Sequence, residues 1–376
     1  MNLRRLLSRL GLVALGLVAG VLVAEGIGRL DRFTRGRELL FPNLDGYPRD
    51  LYVVAAGMNF PNPDFKGEVT SFGYAIRPRF NQWATRGPEP TEGARRWIAV
   101  GDSVTLALQV EEEQTFSALL AQAIDREVLN AGVDGYSTWK ETIRAAQLAG
   151  ALGAEGIVVT FFTGNDYYDN HQQVQGRSSS AVGPFPRPGQ PKFPIHPAPP
   201  RAPTPAYQKW LHDHSVLWAW VTVLQKQQQT RTGTDRASLH FKEELTIFTS
   251  RAREALSREL PHTVPALRDL AATGERLGAR VVVAVVPPAF AMSTATAAST
   301  LHAFGLDEAP DIVAAQTTAV RAAQQAGLEV CDMGPPLTAA AASGAHPYLA
   351  FDGHLSVAGH EIVATELARC IGSPSP

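Results

Sequence analysis

Five short apolar runs, each followed by a stretch of helical periodicity, constrain this chain more than any other feature. Trp97–Val100, Glu127–Ala131, Ile157–Phe162, Arg280–Val286 and the weaker Leu328–Asp332 read as buried strands. Gln114–Ile124, Thr138–Leu152, Val264–Leu277, Asp311–Ala326 and Ser356–Ile371 space their apolar residues near the 3.6 period, with Ser137 or Thr138 and Ser356 placed as N-caps. Strands alternating with helices give parallel pairing through crossovers, in a sheet covered on both faces. With 45% hydrophobic residues in 376, the chain can bury a full core. Its formal charge of -2, without a basic block, argues against a nucleic-acid partner. Cys331 and Cys370 are too few for a disulfide-built scaffold and form no C-x-x-C pair, so no structural metal is expected. One ends a strand and the other ends the last helix, a placement that allows a bridge between them.

The N-terminus is read as a membrane segment over residues 1–28. Arg4, Arg5 and Arg9 precede Leu10–Ala24, fifteen residues without a charge, and Gly26–Gly28 could lengthen the run beyond Glu25. An uncleaved anchor is expected ahead of a cleaved signal peptide, with the rest of the chain outside the cytoplasm, periplasmic or extracellular. Residues 29–93 read as an N-terminal extension packing on a catalytic domain at 94–372. That domain carries an insertion at about 171–260, because more than a hundred residues separate the third and fourth strands. Within the insertion, Gly183–Pro205 holds ten of the 27 prolines and suits an extended wrap or a lid. Tyr207–Lys226 follows as a helix bearing Trp210, Leu211, Leu217, Trp218, Trp220, Val221 and Leu224. Those aromatics either dock the helix on the core or line an acyl or sugar pocket. His212 and His214 lack companions for a metal site and read as a solvated face.

Chemistry concentrates in loops that follow strands. Ile98-Ala99-Val100-Gly101-Asp102-Ser103 ends a buried strand at glycine and presents a serine beyond its carboxyl edge, where open α/β sheets keep their sites. Asn130-Ala131-Gly132 ends the second strand, and Gly132 can bring a backbone N–H close to a substrate. Thr163-Gly164-Asn165-Asp166 ends the third, with the Asn165 amide a further donor. Phe351-Asp352-Gly353-His354 sets an acid and an imidazole before the last helix.

This ordered set resembles the SGNH hydrolase superfamily, the GDSL-type esterases and lipases, over about Trp97–Ile371. The resemblance implies a flavodoxin-like three-layer α/β/α fold with a mainly parallel sheet of about five strands. It also implies roles: Ser103 as nucleophile, Ser103, Gly132 and Asn165 as the oxyanion hole, and His354 as base. Val104 stands where the family usually has leucine, a change in packing. The family's acid usually lies three residues before the histidine, where this chain has Phe351; Asp352 lies two before, a spacing similar to that of alginate O-acetyltransferase-like relatives. Asp352 is therefore assigned as the acid, with Asp332 in reserve. His360 is a weaker base, expected at the surface or as a cap. The expected activity is hydrolysis of an ester through an acyl-serine, with no cofactor, on a short acyl group of an envelope carbohydrate or lipid. The alternatives are an O-acyltransferase on a cell-envelope polysaccharide and a catalytically silent glycan-binding module.

Overall fold

The apolar runs become the strands of one sheet: Ile157–Phe162 and Arg280–Val286, rich in Val, Ile and Thr, make interior strands, and the shorter runs pair beside them. The computed structural model describes residues 3–35, 51–55, 58–71, 74–174, 206–218, 221, 236–349 and 353–372. Helix α1 (Leu3–Arg35) precedes two hairpins, β1 (Tyr52–Ala55) with β2 (Met58–Pro61) and β3 (Val69–Ser71) with β4 (Tyr74–Ile76). There follow β5 (Arg96–Val100), α2 (Ser103–Leu106), α3 (Phe116–Ile124), β6 (Glu127–Asn130), α4 (Thr138–Leu152), β7 (Gly156–Phe162) and α5 (Asp166–Val174). Helices α6 (Ala206–His214), α7 (Arg236–Leu245) and α8 (Ala252–Leu277) lead to β8 (Arg280–Val286). Helices α9 (Thr294–Ala303) and α10 (Ala314–Gln325), β9 (Glu329–Asp332), α11 (Gly334–Ala342) and α12 (Val357–Gly372) complete the chain.

The sheet runs in the order β6-β5-β7-β8-β9 with every neighbour parallel. This is the expected doubly wound arrangement. Alternate residues of each strand face opposite layers. Ile98, Val100, Val159 and Val283 pack with Ala145, Leu148, Leu267 and Leu270 of α4 and α8. Trp97, Ala99 and Val282 pack with Phe116 and Leu120 of α3 and Val363 and Leu367 of α12. The strand order reverses direction between β5 and β7, and the crevice beyond their carboxyl ends is where such sheets bind ligands.

Three differences from the sequence reading have physical causes. Helix α8 starts at Ala252 rather than Val264 and runs through Pro261 and Pro265, because Ala255 and Leu256 bury on the same face as Leu267 and Leu270. That burial outweighs the two missing amide donors. The aromatic segment stops at His214 and resumes at Val216, and it docks on α1. Glu25 accepts from Ser215 Oγ at 2.9 Å and from the N–H groups of Val216 and Leu217 at 3.0 Å. Trp210 stays 59% exposed, stacked on His214, rather than packing on the sheet. Trp220 and Gly183–Pro205 lie outside the described residues. Finally, the membrane segment expected over residues 1–28 is not supported: among the described residues no helix is long and apolar enough to cross a membrane. The charge-free run of fifteen residues makes about 22 Å of helix, against a hydrocarbon core of about 30 Å. It ends at the Glu25 carboxylate, which is committed to the aromatic segment.

Cys331 on β9 and Cys370 on α12 form a disulfide across 39 residues of sequence. Closing a loop of that size restricts the unfolded chain, so replacing both cysteines by serine should lower stability by about 2–4 kcal/mol. Denaturant unfolding of the variant beside oxidised wild type measures the difference, and equal midpoints would mean that the bridge does not form.

Candidate active site

The serine turn is built by glycine and a cap. At Gly101 a Cβ would lie 2.0 Å from both Thr105 Oγ1 and Thr160 Oγ1, so only glycine lets β5 end against these side chains. Asp102 then caps α2, its Oδ1 accepting from Val104 N at 2.9 Å. Ser103 is the first residue of this four-residue helix, and Ala107 closes it in the left-handed region at φ 56°.

The imidazole arrives from the other end of the sequence. His354 Nε2 lies 2.8 Å from Ser103 Oγ. Its loop is anchored on both sides: Leu349 N donates to His354 O at 2.9 Å, the buried Tyr348 hydroxyl donates to Pro287 O beyond β8, and Ser356 Oγ accepts from Gly359 N at the start of α12. Gly353, at φ 78°, supplies the left-handed residue that turns the chain into His354. Asp352 lies outside the described residues. The reserve acid, Asp332, is committed elsewhere, since its Oδ1 accepts from Gln316 Nε2 at 2.6 Å and from Gly334 N at 2.9 Å. His360 is not at the surface. It is 1% exposed, its Nδ1 accepts from Phe116 N at 3.2 Å, and burial pushes its pKa down to about 3, which keeps the ring neutral.

Gly132 and Asn165 flank the serine at the ends of β6 and β7. A Cβ at Gly132 would meet Leu106 N at 2.3 Å, so the residue is glycine to admit the serine turn. Its N–H donates to Asn130 Oδ1 at 3.2 Å, the long end of the hydrogen-bond range, so a substrate oxyanion would compete with an existing partner. Asn165 sits on the turn closed by Phe162 N donating to Asp166 Oδ2 at 2.7 Å. Its own Oδ1 is buried without a partner. Beside it opens a small cleft walled by Tyr167, Tyr168 and Ile247 and rimmed by Glu243, Glu244 and Glu259.

Residues 243–374, which include His354, match the family described as SGNH hydrolase-like domain, acetyltransferase AlgX. Over this third of the chain the sequence is similar to an SGNH hydrolase-like domain. No curated protein sequence matches the chain. Among solved structures, a protein assigned to the G-D-S-L lipolytic family from Desulfitobacterium hafniense DCB-2 is 12% identical, with 73% of this chain and 98% of that one covered and a TM-score of 0.39. An acetylxylan esterase from Geobacillus stearothermophilus is 13% identical, with 75% of this chain and 96% of that one covered and a TM-score of 0.37.

Beneath Ser103 lies a set of buried acids that the motif reading did not single out. Asp102 is fully buried, and burial pushes its pKa up to about 6. The Val104 N–H, the His354 charge and the Asn165 amide act the other way, while Asp134 adds to the rise. Glu141 on α4 is 0% exposed with both carboxylate oxygens unpartnered; burial, Asp102 and Asp169 push its pKa well above the ordinary glutamate value. Burial, Glu141 and Asp102 raise Asp166 likewise. A signal for Glu141 existed: it shares a helical face with Ala145 and Leu148, four and then three residues further on, where a charged residue is out of place. Among the described residues no cluster of His, Cys, Asp and Glu is arranged to hold a metal ion.

Proposed function

We propose that the chain transfers a short acyl group from an ester to Ser103 and then to water, as an esterase acting on an envelope carbohydrate or lipid. The observation that carries this reading is the 2.8 Å contact between His354 Nε2 and Ser103 Oγ, the distance at which an imidazole takes a hydroxyl proton. His354 removes the Ser103 proton as Oγ attacks the acyl carbonyl, and the carbonyl oxygen becomes the oxyanion. Asn165, Gly132 and the Ser103 N–H receive it. The C–O bond to the alcohol then breaks, and His354 gives its proton to the leaving oxygen. Water repeats the sequence on the acyl-serine and releases the acid. Asp352 is assigned to hold the His354 tautomer. The disulfide supports a site outside the cytoplasm.

A second reading, in which a sugar hydroxyl replaces water, is favoured by the match of residues 243–374 to an acetyltransferase family. A panel of p-nitrophenyl esters of graded acyl length, run with and without a glycan acceptor, tests both. Turnover on the acetyl ester without acceptor supports the esterase. Turnover that appears only with acceptor, with the acyl group recovered on the glycan, supports the transferase. No turnover in either arm contradicts acyl transfer.

Two substitutions test the assignments within this reading. Asn165→Ala should cost about 3 kcal/mol of transition-state stabilisation with little change in KM; a loss confined to KM would make Asn165 a binding residue. Asp352→Asn should lower turnover by about 10⁴, far more than Asp332→Asn, because an amide favours the wrong imidazole tautomer. The reverse order in parallel steady-state assays would transfer the role to Asp332.

A further inference from the structure

We propose that Arg86, on the extension that precedes the sheet, is a positioning residue for acyl transfer: it fixes the turn that carries Ser103 and, through Asn130, the approach of Gly132 to that turn. The inference rests on Ser103 being the nucleophile. Helix α2 is only four residues long, so the carbonyls at its C-terminal end have no helical partners and need other donors. Arg86 and Asn130 supply them. Arg86 is 4% exposed; its Nη1 donates to Leu106 O at 2.9 Å and to Ala107 O, and its Nη2 donates to Val110 O at 2.6 Å. Asn130 Nδ2 donates to Thr105 O at 2.7 Å. The carbonyls of residues 105, 106, 107 and 110 are thus held from one side.

The backbone joins the two donors. Arg86 N donates to Asn130 O at 2.8 Å in an isolated antiparallel bridge, and Asn130 Oδ1 accepts from Gly132 N. One connected network therefore reaches from the extension to the serine turn and to the end of β6. It also accounts for Ala107, a non-glycine residue held in the left-handed region, a conformation that persists where its surroundings determine it. The guanidinium suits this place because its planar fork addresses several carbonyls and because a cation is favoured at a helix C-terminus. Burial pushes its pKa down to about 10, opposed by Glu112, Glu111 and Glu113, so it remains charged at neutral pH.

A shift of about 1 Å in a reacting group can cost about 10²-fold in rate, so loss of these bonds should appear in kcat. The experiment compares full-length wild type, Arg86→Ala and Arg86→Lys on p-nitrophenyl acetate, with fluorophosphonate labelling of Ser103 and with guanidinium added at millimolar, non-denaturing concentration. Arg86→Ala is expected to lose about 10²-fold in kcat with KM within about threefold of wild type, and guanidinium is expected to restore at least about tenfold. A merely structural role would lower the folded fraction without that recovery. Folded Arg86→Ala with kcat within about threefold of wild type, or a loss that guanidinium does not restore, overturns the inference. If Arg86→Ala does not fold, Arg86→Lys decides, because it keeps the charge without the fork. A loss of at least about tenfold in its kcat supports the inference, and wild-type kcat overturns it. Wild type that neither labels at Ser103 nor turns over ester overturns the acyl-serine reading and this inference together. Labelled wild type beside an Arg86→Ala variant of unchanged kcat overturns this inference alone.

Discussion

Ser103→Ala should lower kcat by about four decades or more while leaving the fold unchanged, because removing one hydroxyl from a catalytic unit forfeits the covalent route. Ser103 packs no core: it stands at the start of α2, half-buried, while the turn around it is fixed by Gly101, by the Asp102 cap and by the Arg86 guanidinium donating to the carbonyls of Leu106, Ala107 and Val110. Loss of Oγ leaves all of these in place, so the thermal midpoint should stay near that of wild type. Residual activity over water would come from the oxyanion donors alone. A variant retaining kcat within about tenfold of wild type, after exclusion of contaminating esterase, would end the nucleophile assignment.

His354→Ala should cost nearly as much, and the double variant should be no worse than either single one. Without the imidazole, Ser103 loses the base that lies 2.8 Å from its Oγ, and a serine hydroxyl at neutral pH is a weak nucleophile. The two residues act on one step, so their losses should overlap rather than add. Steady-state kinetics on the four proteins of the cycle measure this. Losses that multiply would mean that the histidine and the serine serve separate steps. The buried His360 does not substitute, since its ring nitrogen already accepts from Phe116 and burial keeps it neutral.

Much of this was legible in the chain, and the reasons are specific. A parallel sheet buried on both faces writes its strands as continuous apolar runs, so Ile157–Phe162 and Arg280–Val286 could be bounded to within a residue of β7 and β8. Loops after parallel strands share one sheet edge, so Ser103, Gly132 and Asn165 could be brought together without knowing the strand order. Helix α8 is read from Val264 on its apolar spacing, whereas the tertiary burial of Ala255 and Leu256 carries it back through Pro261 and Pro265 to Ala252. His360 was misjudged from its position inside a helix, although Val363 and Leu367 on the same face already marked that face as buried. Arg86 left no signature at all. Its partners are backbone carbonyls, which no side-chain pattern records, and it precedes the strand and helix alternation altogether.

The acid cluster under the serine was invisible for a related reason. Asp102 could be read as the polar residue that any strand-to-loop turn selects, and its cap to Val104 agrees. That it shares a buried pocket with Glu141 and Asp166 depends on α4 and α5 packing side by side, a relation between elements that spacing within either one cannot express.

A nucleophilic Ser103 of the proposed kind forms a covalent acyl-enzyme. The most direct test of that is incubation of the folded, full-length protein with a fluorophosphonate, followed by proteolysis and mass spectrometry of the adduct. One phosphonyl group on Ser103, absent from Ser103→Ala and strongly reduced in His354→Ala, is the predicted result. Folded wild type that remains unmodified, or that carries the adduct on another residue, would contradict it.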